Sequence, residues 1–324
     1  MSKYQQLFNE IKNSNKIMLI CHKSPDGDAF GSTLALYKVL INLNKQVDVY
    51  CELPYNKKLS FIPNSDKFLI DKNEDKYDLA ISLDCAASSR LGIYYDLFFK
   101  AKKTICIDHH NTNDGYANIN FISPESAATC EYLYIILKEM EKEFPSIIDN
   151  EVATSLYCGI ITDSGNFKNA NTTLLTKKIA QEIEENYKVE SSRIVKHFMD
   201  EIDFNVFQLK IRVLSKAIFN DSKTVGIICF KKEDFVATNT DLTCTEGIVN
   251  DIKDISGIRI AASIIELSDE SYKISLRSDV KYPVNILAAN KGGGGHPCAA
   301  GYQEKGYFYD VLDRVMRDCE NYAE

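Results

Sequence analysis

Between residues 16 and 108 short apolar runs alternate with helical periodicity, and three of the four runs stop at a histidine or an aspartate. The runs are KIMLIC at 16–21, QVDVYC at 46–51, LAISLD at 79–84 and TICID at 104–108. Each is too short for an ordinary helix, and such runs suit strands buried on both faces. Residues 30–43 (FGSTLALYKVLINL) carry apolar positions at helical spacing between the first two runs. Parallel strands need long crossovers, usually helical, so strands separated by helices imply a parallel sheet. The chain is expected to open with a parallel α/β sheet covered by helices on both faces. Residues 125–143, 149–162 and 172–188 continue the helical pattern.

The length of 324 residues exceeds the roughly 100–200 residues of one domain, so two are expected. A larger domain spans 1–188. A polar stretch at 189–220, without Gly or Pro, reads as a helical linker, and 221–324 as a smaller α/β domain. That second domain has strand-like runs at 224–230, 258–265 and 272–278, with helical stretches near 241–254 and 308–323. An active-site cleft is expected between the two domains. His197 falls in the linker, where a structural role is expected.

Composition removes several classes. Hydrophobic residues at 45% and charged residues at 26% are globular values, not those of a disordered chain. No run approaches the roughly 20 apolar residues of a membrane span. The opening MSKYQQLFNEIKNSNK lacks the apolar core of a secretory signal. Ten cysteines occur with no C-x-x-C spacing, and the closest pair, Cys229 and Cys244, is fifteen apart. Buried reduced thiols in a cytoplasmic protein are expected, not a zinc knuckle. The net charge is −8 and neither half is basic, so long duplex nucleic acid and membrane surfaces are not expected partners. An anionic ligand would be held by local arginines or by bound metal. Self-association as a homodimer stays open.

Four places end an apolar element with metal-ligand residues: His22, Asp26 and Asp28 in HKSPDGDAFGS; Asp84; Asp108, His109 and His110; and Asp163 after LYCGII. Loops at the carboxyl ends of parallel strands converge on one crevice, so these residues can meet across more than a hundred positions. Several carboxylates in one crevice repel and raise each other's pKa unless cations neutralise them. Mixed imidazole and carboxylate donors suit Mn²⁺, Zn²⁺ or Fe²⁺. Two such ions about 3.5–4 Å apart activate water and clamp a phosphoryl group. Each aspartate alone also reads as a helix N-cap, and PDGD alone as a turn. The joint pattern favours ligation, because three of the five histidines sit beside acids at strand ends.

The second half adds KGGGGHPCAAG at 291–301. It lacks the spacing of a dinucleotide fingerprint. Its glycines Gly293, Gly294 and Gly295 suit a turn, or backbone amides brought close to a phosphate, with His296 beside them. Arg277 and Ser278 end a strand, where an arginine can pair with a terminal phosphate. Arg259 suits a salt bridge or a substrate contact. Arg90 suits a surface pair or a place beside the acidic crevice.

These segments together resemble the DHH/DHHA1 phosphoesterases. HKSPDGDAFGS is similar to their first motif, Asp108-His109-His110 to the motif that names them, and Asp84 and ITDSGNF to the motifs between and after; KGGGGHPCAAG resembles the glycine-rich DHHA1 signature. The resemblance covers nearly the whole chain in the right order. It implies a DHH domain joined by the helical linker to a DHHA1 domain, and a hydrolase with two divalent ions, Mn²⁺ by family habit. His22, Asp26 and Asp84 would hold one ion, and Asp28, Asp84, His109 and Asp163 the other, with Asp84 bridging. Asp108 would orient its neighbours and His110 would stand near the scissile phosphate. The second domain of that family holds the substrate's end away from the metals, which makes Arg277, Ser278, Gly293–Gly295, His296 and Arg259 candidate substrate contacts, with Arg90 a further candidate beside the acidic crevice. The compact two-domain form implies hydrolysis of very short single-stranded RNA to mononucleotides and of 3′-phosphoadenosine 5′-phosphate (pAp). The rival readings are a manganese pyrophosphatase, a cyclic or linear dinucleotide phosphodiesterase, and a non-catalytic nucleotide-binding regulator.

Overall fold

Strand β1 (Lys16–Cys21) sends Ile17, Leu19 and Cys21 into one apolar cluster and Met18 and Ile20 into another. That two-residue alternation marks a strand covered on both faces. The computed structural model describes residues 3–69, 76–268 and 270–323. The chain divides into two units, Met1–Glu201 and Ile202–Glu324.

In the first unit β1 is joined by β2 (Gln46–Tyr50), β3 (Phe68–Leu69), β4 (Leu79–Leu83), β5 (Thr104–Asp108) and β6 (Ile119–Ile122). Among the described residues the sheet order is β3-β2-β1-β4-β5-β6, with every pairing parallel. The order reverses between β1 and β4, so the ends of these two strands open the crevice where ligands bind in such sheets. The helices are α1 (Lys3–Lys12), α2 (Gly27–Asn42), α3 (Tyr95–Phe99), α4 (Thr129–Glu141), α5 (Asn150–Asp163), α6 (Leu174–Tyr187) and α7 (Ser191–Val195). Helix α2 starts three residues earlier than its apolar pattern because Asp26 caps it. Strands β3 and β6 are two and four residues long, too short to announce themselves by periodicity.

The stretch 189–220 is not one helix. After α7 a π-turn covers Lys196–Asp200, and a separate helix α8 (Phe204–Leu214) begins where the Asp203 side chain accepts from the Asn205 amide. A capping aspartate competes with helix continuation, so the break needs neither Gly nor Pro. The unit boundary falls in this break. His197 stacks on Phe61 with ring centroids 4.3 Å apart, and its Nε2 lies 3.0 Å from the Lys58 carbonyl, the structural role its position suggested.

The second unit holds β7 (Ile218–Phe219), β8 (Val225–Phe230), α9 (Lys232–Thr238), α10 (Ile248–Lys253), β9 (Ile260–Ser268), β10 (Ser271–Ser278), α11 (Val284–Asn290), β11 (Gly294–His296), β12 (Ala299–Lys305) and α12 (Phe308–Ala323). Among the described residues its sheet order is β11-β12-β10-β9-β8-β7; β8 and β9 pair in parallel and the others antiparallel. Ile260, Ala262 and Ile264 face one cluster and Ala261 and Ile265 the other. The expected helix at 241–254 is cut by Gly247 at φ 80°, leaving a 3₁₀ turn before α10. No helix among the described residues is long and apolar enough to cross a membrane. All ten cysteines are free thiols.

Candidate metal centre

His22 follows β1 and Asp84 follows β4, side by side at the point where the strand order reverses. The His22 Nε2 lies 3.6 Å from Asp84 Oδ2, and the His109 Nε2 lies 3.6 Å from Asp84 Oδ1. The two oxygens of Asp84 therefore face two different histidines. Ligand atoms of His22, Asp26 and Asp84 lie within 4.8 Å of one another, and those of Asp28, His109 and Asp163 form a second such group. Asp26 caps α2: its Oδ1 accepts from the Asp28 and Ala29 amides at 3.1 and 3.0 Å, a cap that uses one oxygen of the carboxylate. Asp84 holds φ 54°, the left-handed region that a non-glycine residue rarely adopts and that clusters at functional sites. Its amide is held by the Ile107 carbonyl at 3.0 Å.

The imidazoles are oriented from behind. His109 Nδ1 lies 3.2 Å from the Ser126 carbonyl, and His22 Nδ1 lies 2.9 Å from the Lys23 carbonyl. On His109 a proton on Nδ1, donated to the carbonyl, turns the Nε2 lone pair toward the carboxylates, the usual arrangement of a metal-binding histidine. Arg90 belongs to this place: its Nη2 is 3.0 Å from His22 Nδ1. Asp108 is fully buried, and its Oδ1 is 2.8 Å from His110 Nδ1. The Asn113 side-chain amide donates to Asp108 Oδ2 at 2.7 Å.

The electrostatics fit a divalent cation. Burial, and then the neighbouring Asp84, push Asp28 up to about 7. Burial also holds Asp163 well above the carboxylate range, with Asp28, Asp26 and Asp84 adding to it. Asp163 is the last residue of α5, where the helix dipole disfavours a negative charge. Burial opposes a charge on His109, yet Asp84, Asp163 and Asp28 outweigh it and raise the ring to about 9. Burial likewise opposes the ionised form of Asp84, but His22, His110 and His109 hold it below the usual carboxylate range. Carboxylates crowded at this density, with imidazole nitrogens aimed among them, form a mixed N/O donor set for a divalent metal.

Glycines let the helices that carry these acids meet. A Cβ at Gly31 of α2 would stand 2.5 Å from the Ser155 carbonyl oxygen of α5, and one at Gly159 of α5 would stand 2.2 Å from Cys130 Sγ. The close approach sets Asp28, in the first turn of α2, beside Asp163, at the end of α5.

In the second unit Arg277 and Ser278 close β10 as expected. Arg277 is half-buried and its Nη1 donates to the Leu276 carbonyl at 2.9 Å, while Asp279, a sequence neighbour available for pairing, is taken by Lys253 at 3.0 Å. The Ser278 hydroxyl lies 3.4 Å from the Pro297 carbonyl. Arg259 donates to the Ala323 carbonyl at 2.5 Å and lies over the Tyr282 ring, which engages it at the end of α12. The glycine run is not an open loop: Gly294–His296 pairs with β12. Gly293 and Gly295 are required by that strand, since a Cβ would meet the Gly301 oxygen at 2.1 Å and the Ala299 oxygen at 2.5 Å. Gly294 faces open space, so packing gives no reason for its missing side chain.

Sequence reasoning passed over Ser126, Thr129, Asn113 and Asn171. Thr129 donates its hydroxyl to Asp84 Oδ1 at 2.9 Å, and Asn171 reaches Asp163 Oδ2 at 3.3 Å. A hydroxyl or amide at the edge of a helix has many ordinary uses, and spacing alone did not separate these from caps.

The sheet order and the donor set together define a metal-centred α/β scaffold of the DHH type. The model of the DHH family, N-terminal domain, matches residues 16–160, and that of the DHHA1 domain matches residues 235–322. The chain belongs to the DHH/DHHA1 family of phosphoesterases. It is 27% identical over 316 residues to the bifunctional oligoribonuclease and PAP phosphatase NrnA of Bacillus subtilis, covering 97% of each chain. It is 30% identical over 307 residues to the protein of the same name from Thermus thermophilus, covering 93% of this chain and 88% of that one. A solved exopolyphosphatase-related protein from Bacteroides fragilis shares 26% identity at a TM-score of 0.91, over 99% of this chain and 96% of that one.

Proposed function

We propose that this chain is a manganese-dependent phosphoesterase that hydrolyses very short single-stranded RNA to mononucleotides and removes a phosphate from pAp. The observation that carries the reading is Asp84, whose two carboxylate oxygens face His22 on one side and His109 on the other at 3.6 Å each. The names of the two relatives supply the substrate class.

His22, Asp26 and Asp84 would hold one ion; Asp28, Asp84, His109 and Asp163 would hold the other. Such ions polarise a phosphoryl group and lower the pKa of water to supply a nucleophile near neutral pH. The protein's own part is orientation and proton handling. Asp108, fixed by Asn113, holds the His110 ring so that it can steady or protonate the departing oxygen. Arg277 and His296, with the Gly294 backbone, are assigned to a terminal phosphate or base of the substrate, and Arg90 to the surroundings of His22. Arg259 is left out of the substrate set because α12 and Tyr282 engage it.

Asp84→Ala tests the reading. It is expected to lower bound metal and abolish hydrolysis of pAp and of a trinucleotide, with the fold retained by circular dichroism. Wild-type turnover in the purified variant would remove Asp84 from the centre and the two-ion reading with it.

A further inference from the structure

Residues 126–131 carry none of the histidine–aspartate motifs, yet this short turn touches the centre from several sides. The Ser126 carbonyl faces His109 Nδ1 at 3.2 Å. The Thr129 amide donates to Asp28 Oδ2 at 2.6 Å, and the Cys130 amide donates to Asp28 Oδ1 at 2.9 Å. The Thr129 hydroxyl donates to Asp84 Oδ1 at 2.9 Å. The Ala127 carbonyl accepts from Asn171, whose amide also reaches Asp163. Glu131 braces the turn, accepting from the Ala127 amide at 3.2 Å and from the Thr176 hydroxyl at 2.7 Å.

The capping chemistry explains half of this. The N-cap of α4 is Ala128, which has no side chain to offer the first amides of the helix. Asp28, arriving from α2, takes their place, which satisfies two backbone donors and locks one acid in position. That role needs the Thr129 amide and not its hydroxyl. The hydroxyl does something separate. Threonine is β-branched and stiff at χ1, and its hydroxyl is directed at Asp84 Oδ1. One fully buried residue thus holds Asp28 through its backbone and Asp84 through its side chain.

We infer that Thr129 is a positioning residue of the metal centre: it fixes Asp28 and Asp84 at the separation that lets both donor groups form. This rests on the reading of those aspartates as metal ligands. The hydroxyl's share is isolated by Thr129→Val, which keeps the amide and the shape, and by Thr129→Ser, which keeps the hydroxyl.

The full-length chain, stripped of metal, would be titrated with Mn²⁺ by calorimetry for wild type, Thr129→Val, Thr129→Ser and Thr129→Ala, with melting of each metal-free form as a folding control. Thr129→Val is expected to weaken at least one ion by about 10–100-fold, the usual cost of losing a ligand's hydrogen-bond partner. Thr129→Ser should keep wild-type affinity, and hydrolysis of pAp by Thr129→Val should return in excess Mn²⁺, which a packing defect would not show. If Thr129→Val does not fold, Thr129→Ala gives the same loss of the hydroxyl. Two ions bound at wild-type affinity by the folded Val or Ala variant would overturn the role of Thr129 and leave the ligand reading intact. A wild-type chain that takes up no Mn²⁺ would overturn both.

Discussion

At the residue scale, Asp28 and His109 hold protons that a cation must displace. Asp28 rises from its ordinary 3.8 to about 7, and His109 from 6.5 to about 9. In both cases the folded, metal-free chain binds a proton more tightly than the unfolded one. Their contribution to metal-free stability is therefore present at low pH and declines as pH rises, through roughly 4–7 for Asp28 and 6.5–9 for His109. Metal affinity runs the other way, because ligands must be deprotonated. Mn²⁺ affinity is expected to climb from about pH 6 to about pH 9, with proton release on binding. Calorimetry in buffers of different ionisation enthalpy reads both, and an affinity that is flat or falling over that range would contradict the donor set. The proposed ligand residues could be picked out as candidates in the sequence because they stand at or next to strand and helix ends, where the loops of a parallel sheet converge. Thr129, Ser126 and Asn113 were not, because a single hydroxyl, carbonyl or amide has no pattern until the fold shows what it faces.

At the element scale, the centre depends on how closely α2 and α5 approach. Alanine in place of a helical glycine ordinarily stabilises by about 1 kcal/mol. At Gly31 the new Cβ would stand 2.5 Å from the Ser155 backbone oxygen, and backbone cannot swing aside as a flexible side chain does. Overpacking of that kind costs about 1–3 kcal/mol and wins over propensity. Gly31→Ala is thus expected to melt at lower temperature and, by parting Asp28 from Asp163, to bind Mn²⁺ more weakly. A variant that is more stable than wild type and binds metal equally well would show that the two helices tolerate separation. The long buried strands and α2 could be read from periodicity. The interrupted 189–220 segment could not, because its break comes from a local contest between the Asp203 cap and helix continuation. Nor could β11, whose three residues, Gly-Gly-His, carry no strand signal of their own.

At the scale of the whole molecule, the proposed metal ligands belong to the first unit and the proposed grip on a terminal phosphate, Arg277, to the second. Arg277 is the sharpest test of that division, since Lys253 occupies Asp279 and the Arg277 side chain donates only to the neighbouring Leu276 carbonyl among the described residues. If it grips a terminal phosphate, Arg277→Ala should reduce kcat/KM for pAp and phosphorylated dinucleotides by about 1.5–3 kcal/mol, the scale of a hydrogen bond to a charged group. A small chromogenic phosphodiester should be hydrolysed at the wild-type rate, with unchanged bound Mn²⁺. Equal losses on both substrates would assign Arg277 to the fold instead. The order of the two domains was legible from the motifs, whereas the pairing behind the glycine signature was not: Gly293 and Gly295 answer to β12, and Cβ atoms at Gly292 and Gly294 would meet nothing within 4 Å. The central claim is that a divalent centre built on Asp84 carries phosphoester hydrolysis. Its most direct measurement is the rate on pAp and on a trinucleotide as metal-stripped protein is titrated with Mn²⁺. The account predicts no turnover without metal and a rate that levels off near two equivalents per chain, the occupancy of a two-metal site. Full turnover by the stripped chain, unaffected by added Mn²⁺, would contradict it.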